Sequence, residues 1–273
     1  MRALSPTLGY VATGLVLLPF ALPLVWVLLS AFRPAAELVQ VSAGWLPERL
    51  TLENFTESWR LLDFRRFLLN SALVAGLTVI GTVLSSSLVG YAFATLAARG
   101  KGVLFALLLA TVMLPSAVTL LPTFLLFSRL GWVGSYLPLV VPHFFANAFY
   151  VFLFRQFFRA LPRELFDSAE LDGCNPWMTY RHVALPLARP AVATVAVFAA
   201  IGSFNEFLEP LVYLSRESSF TMSLGLSFFQ GLYGTQVHYL IPMSLVALVP
   251  VGVVFFVAQR SIQRGIVTTG GRV

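Results

Sequence analysis

Residues Ser71–Leu96 read SALVAGLTVIGTVLSSSLVGYAFATL and contain no charged side chain. About 20 apolar residues in an α-helix cross the hydrocarbon core of a bilayer, which is roughly 30 Å thick. Inside that core every backbone N–H and C=O group must be paired within the protein, and a helix pairs them along its own length. The stretch therefore predicts a transmembrane helix.

Similar apolar stretches recur along the whole chain. Hydrophobic residues make up 58% of the 273 residues and charged residues only 11%, whereas a soluble domain carries about a quarter charged residues. This composition predicts an all-α integral membrane protein with about six transmembrane helices, in a single transmembrane domain over residues 1–273. The predicted spans are 8–32, 71–96, 103–127, 136–158, 191–214 and 240–259. Arg33 and Pro34 follow the first span, where a signal peptide would have small residues for cleavage, so this span is predicted to be retained.

The connecting segments indicate the orientation of the chain. The main ones are residues 33–70, residues 161–190 and the tail 260–273. More of the 18 Lys and Arg residues lie on the side that holds segment 161–190 and both termini, and connecting segments rich in positive charge are retained in the cytoplasm. We therefore expect segment 161–190 and both termini in the cytoplasm, and segment 33–70 outside. The net charge of +6 then fits contact with anionic lipid, and the sequence has no basic run interleaved with aromatic residues that would predict a nucleic-acid partner.

Patterns of catalytic and metal sites are missing from the sequence. Cys174 is the only cysteine, and His143, His182 and His238 show no metal-ligand spacing. The sequence also lacks the P-loop motif of nucleotide-binding proteins and the Gly-x-Ser-x-Gly motif of hydrolases. A membrane-embedded enzyme would need a convergent set of His, Asp or Ser residues near one interface, and none is evident. We therefore predict no catalytic residue, no metal ion and no cofactor bound by this chain.

Segment 161–190 has the pattern of two short helices joined by a turn. Leu161, Leu165 and Ala169 fall on one face of a helix. Gly173 follows them and tolerates the positive φ angle at which many helices end. The first helix is therefore predicted to end close to Gly173.

The second helix of this segment is predicted from its two ends. Asn175 can cap the amino end, with Pro176 at the first helical position. Leu185-Pro186 is predicted to stop the helix before the next span. The segment is therefore expected to form a helix–turn–helix at the membrane surface. It offers four acidic side chains to a cytoplasmic partner, Glu164, Asp167, Glu170 and Asp172.

The same segment carries a motif. It contains Asp167-Ser168-Ala169, three further residues, Gly173 and, twelve residues on, Leu185-Pro186. This spacing resembles the EAA loop of permeases in binding-protein-dependent ABC importers, whose pattern is Glu-Ala-Ala, three residues, Gly and a downstream Ile-x-Leu-Pro. In this sequence Asp stands for Glu, Ser for the first Ala, and Val183 for Ile.

The resemblance extends over the whole chain. It is carried by Thr51-Leu52-Glu53-Asn54-Phe55, Asn70-Ser71, Phe204-Asn205-Glu206-Phe207-Leu208 with Pro210, and Arg264-Gly265-Ile266-Val267. These stretches are similar to carbohydrate-uptake permeases, in particular the second permease of maltose-like systems. The resemblance implies the architecture of a type I ABC importer permease in the plasma (inner) membrane of a bacterium or archaeon. In the first stretch, Thr51 is predicted to cap a short helix.

The resemblance also implies a mechanism and partners. Segment 161–190 would dock into a cleft of a cytoplasmic ATPase subunit, and closure of two such subunits on ATP would turn the spans from inward-open to outward-open. The expected partners are a second homologous permease, two ATPase subunits that hold ATP and Mg²⁺, and an extracytoplasmic sugar-binding protein. In the docked segment Leu165 and Ala169 would pack into the cleft and Asp167 would meet basic groups. The full set of expected coupling residues is Leu165, Asp167, Ser168, Ala169, Asp172, Gly173, Leu185 and Pro186.

Two carboxylates lie within the predicted fifth span. A charged side chain at the bilayer centre costs at least about 2.5–3.5 kcal/mol on insertion scales, so such residues tend to face a cavity or a partner. Glu206 and Glu209, with Asn205, are therefore candidate residues of a substrate path, because sugar hydroxyls donate hydrogen bonds to carboxylates. Two alternatives stay open: the carboxylates are hydrated near the outer end of the helix, or Asn205 and Glu206 lie at a subunit contact. In other spans, Ser85–Ser87 and Asn147 are expected to join helices by hydrogen bonds.

The predicted function is the transmembrane channel subunit of an ATP-driven sugar importer, with ATP hydrolysis carried out by a separate subunit. The alternative is an ion-gradient-driven secondary transporter of small polar solutes. Inverted repeats or paired intramembrane acidic and basic residues would favour that alternative, and the sequence shows neither clearly. The sequence leaves the sugar open.

Overall fold

Helices make up most of the protein. The computed structural model describes residues 6–38, 44–231 and 234–270. The α-helices are α1 (Pro6–Ala31), α2 (Ala35–Leu38), α3 (Glu53–Leu61), α4 (Phe64–Thr95), α5 (Lys101–Ala110), α6 (Ser116–Arg129), α7 (Leu137–Val140), α8 (Ala148–Ala160), α9 (Glu164–Leu171), α10 (Pro176–Thr179), α11 (Leu185–Leu187), α12 (Arg189–Asn205), α13 (Leu208–Tyr213), α14 (Met222–Ser227) and α15 (Val237–Gly270). Shorter turns are the 3₁₀ turns Thr111–Met113, Val141–Phe145 and Glu217–Ser219 and the π-helical turn Tyr180–Ala184. Two short antiparallel strands, β1 (Gln230–Gly231) and β2 (Gly234–Thr235), pair Gln230 with Thr235.

Six membrane spans can be assigned within the described residues by length and composition. Four are single stretches, Thr13–Ala31, Phe64–Thr95, Leu137–Ala160 and Val237–Gln259. Two further spans arise if each of two bent helix pairs counts as one, namely Lys101–Met113 with Ala117–Arg129, and Pro176–Leu187 with Arg189–Asn205. The prediction of an all-α membrane protein with about six spans is therefore confirmed.

The predicted fifth span, residues 191–214, is interrupted in the structure. Helix α12 ends at Asn205, Glu206 has extended backbone angles, and α13 begins at Leu208. The Glu206 carboxylate accepts hydrogen bonds from the backbone N–H groups of Leu208 (3.0 Å) and Glu209 (3.3 Å). A side-chain acceptor at a helix start replaces the helical hydrogen bonds that the first N–H groups lack, so the continuous helix that we predicted is wrong at this point.

The predicted second span starts earlier than residue 71. Helix α4 begins at Phe64, and the side chains of Phe64 and Phe67 are fully buried. The helix therefore extends beyond the predicted span and includes the basic pair Arg65-Arg66.

The described chain forms two compact units. One combines the residues up to Arg65 with Gly225–Val249. In this unit the Asn54 side-chain amide donates to the C=O of Arg33 (2.7 Å), and the Tyr239 hydroxyl donates to the Glu57 carboxylate (2.8 Å). Helix α3 is therefore fixed to the end of α1 and to the start of α15.

The predicted start of a short helix after Thr51 is confirmed. Helix α3 begins at Glu53, and the Thr51 hydroxyl accepts a hydrogen bond from the Glu53 N–H group (3.1 Å). The hydroxyl thus satisfies an N–H group that has no partner inside the helix.

The second unit comprises Arg66–Leu224 and the residues from Pro250 onward. Serine hydroxyls of α4 bond the broken stretch before α8: Ser85 donates to the C=O of His143 (3.0 Å) and accepts from the N–H of Ala146 (3.1 Å). The Ser86 hydroxyl accepts from the N–H of Asn147 (3.2 Å). The prediction that the serines of this span join helices by hydrogen bonds is therefore confirmed.

Helices α4 and α8 approach closely at Gly90. A Cβ atom at this position would lie 2.7 Å from Cβ of Phe154 and 3.1 Å from the backbone N of Arg155. Because neither neighbour is the end of a flexible side chain, any larger residue at position 90 must push the two helices apart.

We predict that Gly90→Ala lowers the stability of the protein by about 1–3 kcal/mol, the usual cost of overpacking a filled contact. The measurement is the midpoint of thermal unfolding of the purified protein in detergent. Gly76→Ala is the matched control, because Gly76 lies on the same helix and its added Cβ would meet no atom within 4 Å. Equal midpoints for the two variants would contradict the close contact at Gly90.

Candidate functional site

Segment 161–190 forms the two helices that its sequence predicts. Helix α9 ends at Leu171, and Gly173 has a φ angle of +82°. The Asn175 side chain then caps α10 by accepting a hydrogen bond from the N–H group of Met178 (2.9 Å). The turn between the helices therefore depends on a left-handed glycine and an asparagine cap.

The second helix is longer than predicted and contains a π-helical turn. It runs from Pro176 through the turn Tyr180–Ala184 and ends at Leu187, so Pro186 lies in its last turn. The axis then bends by 77° into α12 at Ala188. A π-helical turn accommodates one residue more than an α-helical turn, and such turns are frequent at functional sites.

Tyr180 fixes the segment to the transmembrane helix α4. Its hydroxyl lies 2.7 Å from the hydroxyl of Ser87, and its ring centre lies 5.3 Å from that of Tyr91. All three side chains are buried. The buried cluster around them is formed by Tyr91, Phe154, Phe158, Tyr180, Ala184, Ala188 and Val195. The segment is therefore attached to the helices above it by packed aromatic rings and a buried hydrogen bond.

One predicted coupling residue faces the interior of this chain. Ala169 is buried, with 5% of its surface exposed, while Leu165 is 37% exposed. The prediction that Ala169 packs into the cleft of a partner therefore needs correction, because its methyl group already packs against this chain. Helical spacing placed the two residues on one face, but it could not show which part of that face the chain itself covers.

Apolar side chains that the prediction omitted also lie on the surface of the segment, and three of them are close to its turn in the sequence. Leu171 is 89% exposed, Trp177 55% and Met178 42%. Large apolar side chains grouped on an otherwise charged surface mark protein contacts more often than scattered single ones do. The sequence signal was available, since Leu171 ends the first helix and Trp177 follows the cap of the second.

The remaining predicted coupling residues lie before and after these apolar residues in the sequence. Asp167, Ser168, Asp172 and Pro186 are exposed, and Leu185 is partly buried. Within the described part of the chain, the carboxylates of the segment form no ion pair. Its acidic surface is therefore open to a basic partner.

A second candidate site is a pair of cavities around the break after α12. Both cavities, about 100 and 200 Å³ in volume, are lined by His143, Glu206 and Glu209. The larger one also has the hydroxyl groups of Thr119, Thr123 and Tyr213 in its lining. The structure therefore places the two predicted glutamates in the lining of the same cavities, whereas Asn205 is exposed and lines neither cavity.

The two glutamates have different surroundings. The Glu206 carboxylate is held by the two N–H groups that begin α13. The Glu209 side chain has no hydrogen-bond or ion-pair partner among the residues that the structure describes. The Glu206 carboxylate thus bonds the backbone at the break, whereas the Glu209 side chain can form hydrogen bonds with a molecule in the cavity.

The other polar groups of the cavity carry no local signal in the sequence. His143, Thr123 and Tyr213 come from three separate segments, and the Thr123 and Tyr213 hydroxyls lie 3.1 Å apart. No spacing rule connects residues so far apart in the chain. Their isolated polar positions in apolar segments were the only available hint. No cluster of three or more His, Cys, Asp or Glu side chains that could hold a metal ion occurs in the described ranges.

We predict that Tyr180→Phe and Ser87→Ala each lower the free energy of unfolding by about 1 kcal/mol, the usual net value of one hydrogen bond. The double variant is expected to lose clearly less than the sum, because both changes remove the same bond. Denaturant unfolding of the purified protein in detergent measures the three losses. Tyr10→Phe, at a tyrosine that is 79% exposed, is the control. Fully additive losses would show that the two hydroxyls are not coupled.

Comparison with known proteins identifies relatives along the whole chain. The family described as "Binding-protein-dependent transport system inner membrane component" matches residues 86–267. The arabinooligosaccharides transport system permease protein AraQ of Halalkalibacterium halodurans is 34% identical over 99% of this chain and 98% of its own length. The lactose transport system permease protein LacG of Rhizobium radiobacter is 26% identical over 97% of this chain and 96% of its own.

A solved structure has the same fold. It is the crystal structure of a bacterial ABC transporter involved in the import of the acidic polysaccharide alginate, and one of its chains matches with a TM-score of 0.79 at 20% identity. The match covers 95% of this chain and 98% of that one. Together, the family match over most of the sequence and the relatives along its full length confirm the resemblance found in the sequence. The chain belongs to the inner membrane components of binding-protein-dependent transport systems, among the permeases of sugar ABC transporters.

Proposed function

We propose that this chain is the channel subunit of an ATP-driven sugar importer and that segment 161–190 couples the channel to a cytoplasmic ATPase subunit. The observation that carries the proposal is that this segment both exposes apolar side chains and is attached to a transmembrane helix. Its outer surface exposes Leu171, Trp177 and Met178, while Tyr180 fastens its inner side to α4. A partner that pulls on the outer surface would therefore move α4 as well.

The proposed assembly contains a second homologous permease, two ATPase subunits that bind ATP and Mg²⁺, and an extracytoplasmic sugar-binding protein. This chain supplies no catalytic residue, and hydrolysis belongs to the ATPase subunits. Both termini and segment 161–190 are proposed to lie on the cytoplasmic side of a bacterial or archaeal inner membrane. The excess of Lys and Arg residues on that side supports this orientation.

The proposed contact with the ATPase subunit combines apolar and charged groups. Leu171 and Trp177 would bury apolar surface in a cleft, and Leu165 would contribute at its edge. The exposed carboxylates of Asp167 and Asp172 would meet basic side chains of the partner. Ser168, Leu185 and Pro186 remain proposed coupling residues, as the resemblance implies. Ala169 takes no part in the docked surface, because it is buried in this chain.

The proposed substrate path includes the cavities around Glu206 and Glu209. Sugars present many hydroxyl donors, and a carboxylate accepts them. Asn205 is left out of the path, since it lines neither cavity. The relatives are named for neutral and for acidic substrates alike, such as arabinooligosaccharides and sulfoquinovosyl glycerol. Family membership alone therefore leaves the chemical class of the sugar open.

The source of energy for uptake distinguishes the proposed function from the alternative, an ion-gradient-driven secondary transporter. The full complex, co-expressed with its ATPase subunits and reconstituted in proteoliposomes with its binding protein, is expected to accumulate sugar only when ATP is present inside. Accumulation by this chain alone, driven by an ion gradient, would overturn the proposal.

We predict that Leu171→Ser weakens binding of the ATPase subunit by about tenfold or more, because burying a leucine side chain contributes about 1.5–3 kcal/mol. The measurement is co-purification of the ATPase subunit with this chain over a range of salt and detergent concentrations. Leu46→Ser is the control, because Leu46 is 73% exposed and lies in segment 33–70, away from the proposed contact. Equal co-purification of the two variants would contradict the assigned docking surface.

We predict that Gly173→Pro leaves membrane insertion intact and lowers sugar uptake by roughly tenfold, a typical size for a lost coupling free energy. Proline cannot adopt the positive φ angle at this turn, so the two helices of the segment lose their relative orientation. Gly100→Pro is the matched control, since Gly100 has a similar φ angle of +78° in a different turn. Uptake and ATP hydrolysis are measured together, and unchanged uptake in Gly173→Pro would count against coupling through this segment.

A further inference from the structure

The two cavities share one charged corner. His143, Glu206 and Glu209 line both of them, so a molecule in either cavity lies beside two carboxylates. The other polar groups of the two linings include the neutral hydroxyls of Thr123, Tyr213 and Thr221. The lining therefore combines two acidic side chains with neutral hydroxyl groups.

Among the described residues, no side chain of either lining carries a permanent positive charge that would compensate this negative charge. In the described parts of the chain, neither cavity has an Arg or Lys in its lining. The Glu206 carboxylate is partly compensated by the two N–H groups at the start of α13. The Glu209 carboxylate has no such partner within the described residues. A bound molecule thus meets the carboxyl groups of both residues, of which only Glu206 is held by backbone N–H groups.

The electrostatic consequence follows from the low polarity of the surroundings. The rest of the lining is apolar, with side chains such as Leu120, Phe127 and Leu139. Like charges repel more strongly in such surroundings than in water, and a desolvated anion gains nothing to offset its lost hydration. A sugar without acidic groups meets no repulsion and can donate hydroxyl hydrogens to the unpaired carboxylate.

We propose that these cavities accept saccharides that carry no acidic group, that Glu209 binds them as a hydrogen-bond acceptor, and that the two carboxyl groups of Glu206 and Glu209 together exclude anionic saccharides. This inference rests on the proposed function, because it assumes that the cavities belong to the sugar path. It goes further by naming the chemical class of the substrate and the residue that selects it.

The test measures binding to the full complex in nanodiscs, without the sugar-binding protein, so that the selectivity of that protein does not enter. The uncharged probes are maltotriose, arabinotriose and lactose, and the anionic probes are trigalacturonate and lactobionate. Equilibrium dialysis at millimolar probe concentrations gives the affinity of each. The wild-type complex is expected to bind at least one uncharged probe and to bind the anionic probes at least about tenfold more weakly.

Two variants at position 209 separate charge from structure. Glu209→Gln is expected to weaken binding of the uncharged probe by about tenfold, as for loss of a hydrogen bond to a charged group, and to reduce the discrimination against anionic probes. Glu209→Asp keeps the charge and is expected to keep the discrimination. Glu217→Gln is the matched control, because Glu217 is exposed and lines neither cavity.

The outcomes distinguish this inference from the function on which it rests. Anionic probes that bind the wild type as tightly as uncharged ones, or a Glu209→Gln variant that behaves like Glu217→Gln, would overturn the inference alone. Uptake of an uncharged probe by the complete system without measurable binding to the complex would also overturn it. A complete system that shows no ATP-driven uptake of any probe would overturn the proposed function and the inference with it.

Discussion

Backbone N–H and C=O groups cannot remain unpaired inside a bilayer, because the lipid offers them no hydrogen-bond partner. At two breaks between helices of this chain, side chains supply the missing bonds. At the break before α8, the hydroxyls of Ser85 and Ser86 bind the N–H groups of Ala146 and Asn147. At the break after α12, the Glu206 carboxylate binds the first N–H groups of α13.

These two breaks also explain where the cavities are. His143 lies at the first break and Glu206 at the second, and both residues line the two cavities. Non-helical backbone at membrane depth is tolerated only where it is buried in protein or lines a cavity. The side-chain hydrogen bonds to the backbone and the polar lining of the cavities therefore both result from the same helix interruptions.

Much of the fold follows from local sequence rules, and the sites follow only in part. The number of spans, the cap at Asn175 and the turn at Gly173 depend on neighbours in the sequence, so they could be predicted. The break at Glu206 could not, because an apolar run with two carboxylates fits a continuous helix equally well. The burial of Ala169 and the presence of His143 and Glu209 in the same cavity lining depend on the packing of distant segments. No local sequence pattern encodes that packing.

The π-helical turn at Tyr180–Ala184 has a consequence for the alignment of the two ends of its helix. One extra residue in a helix rotates everything before it by about 100° relative to everything after it. The turn thus sets the angle between the outward direction of Trp177 and the inward direction of Ala188. Deleting one residue from this turn would keep Leu171, Trp177 and Met178 but rotate the surface that they form about the helix axis.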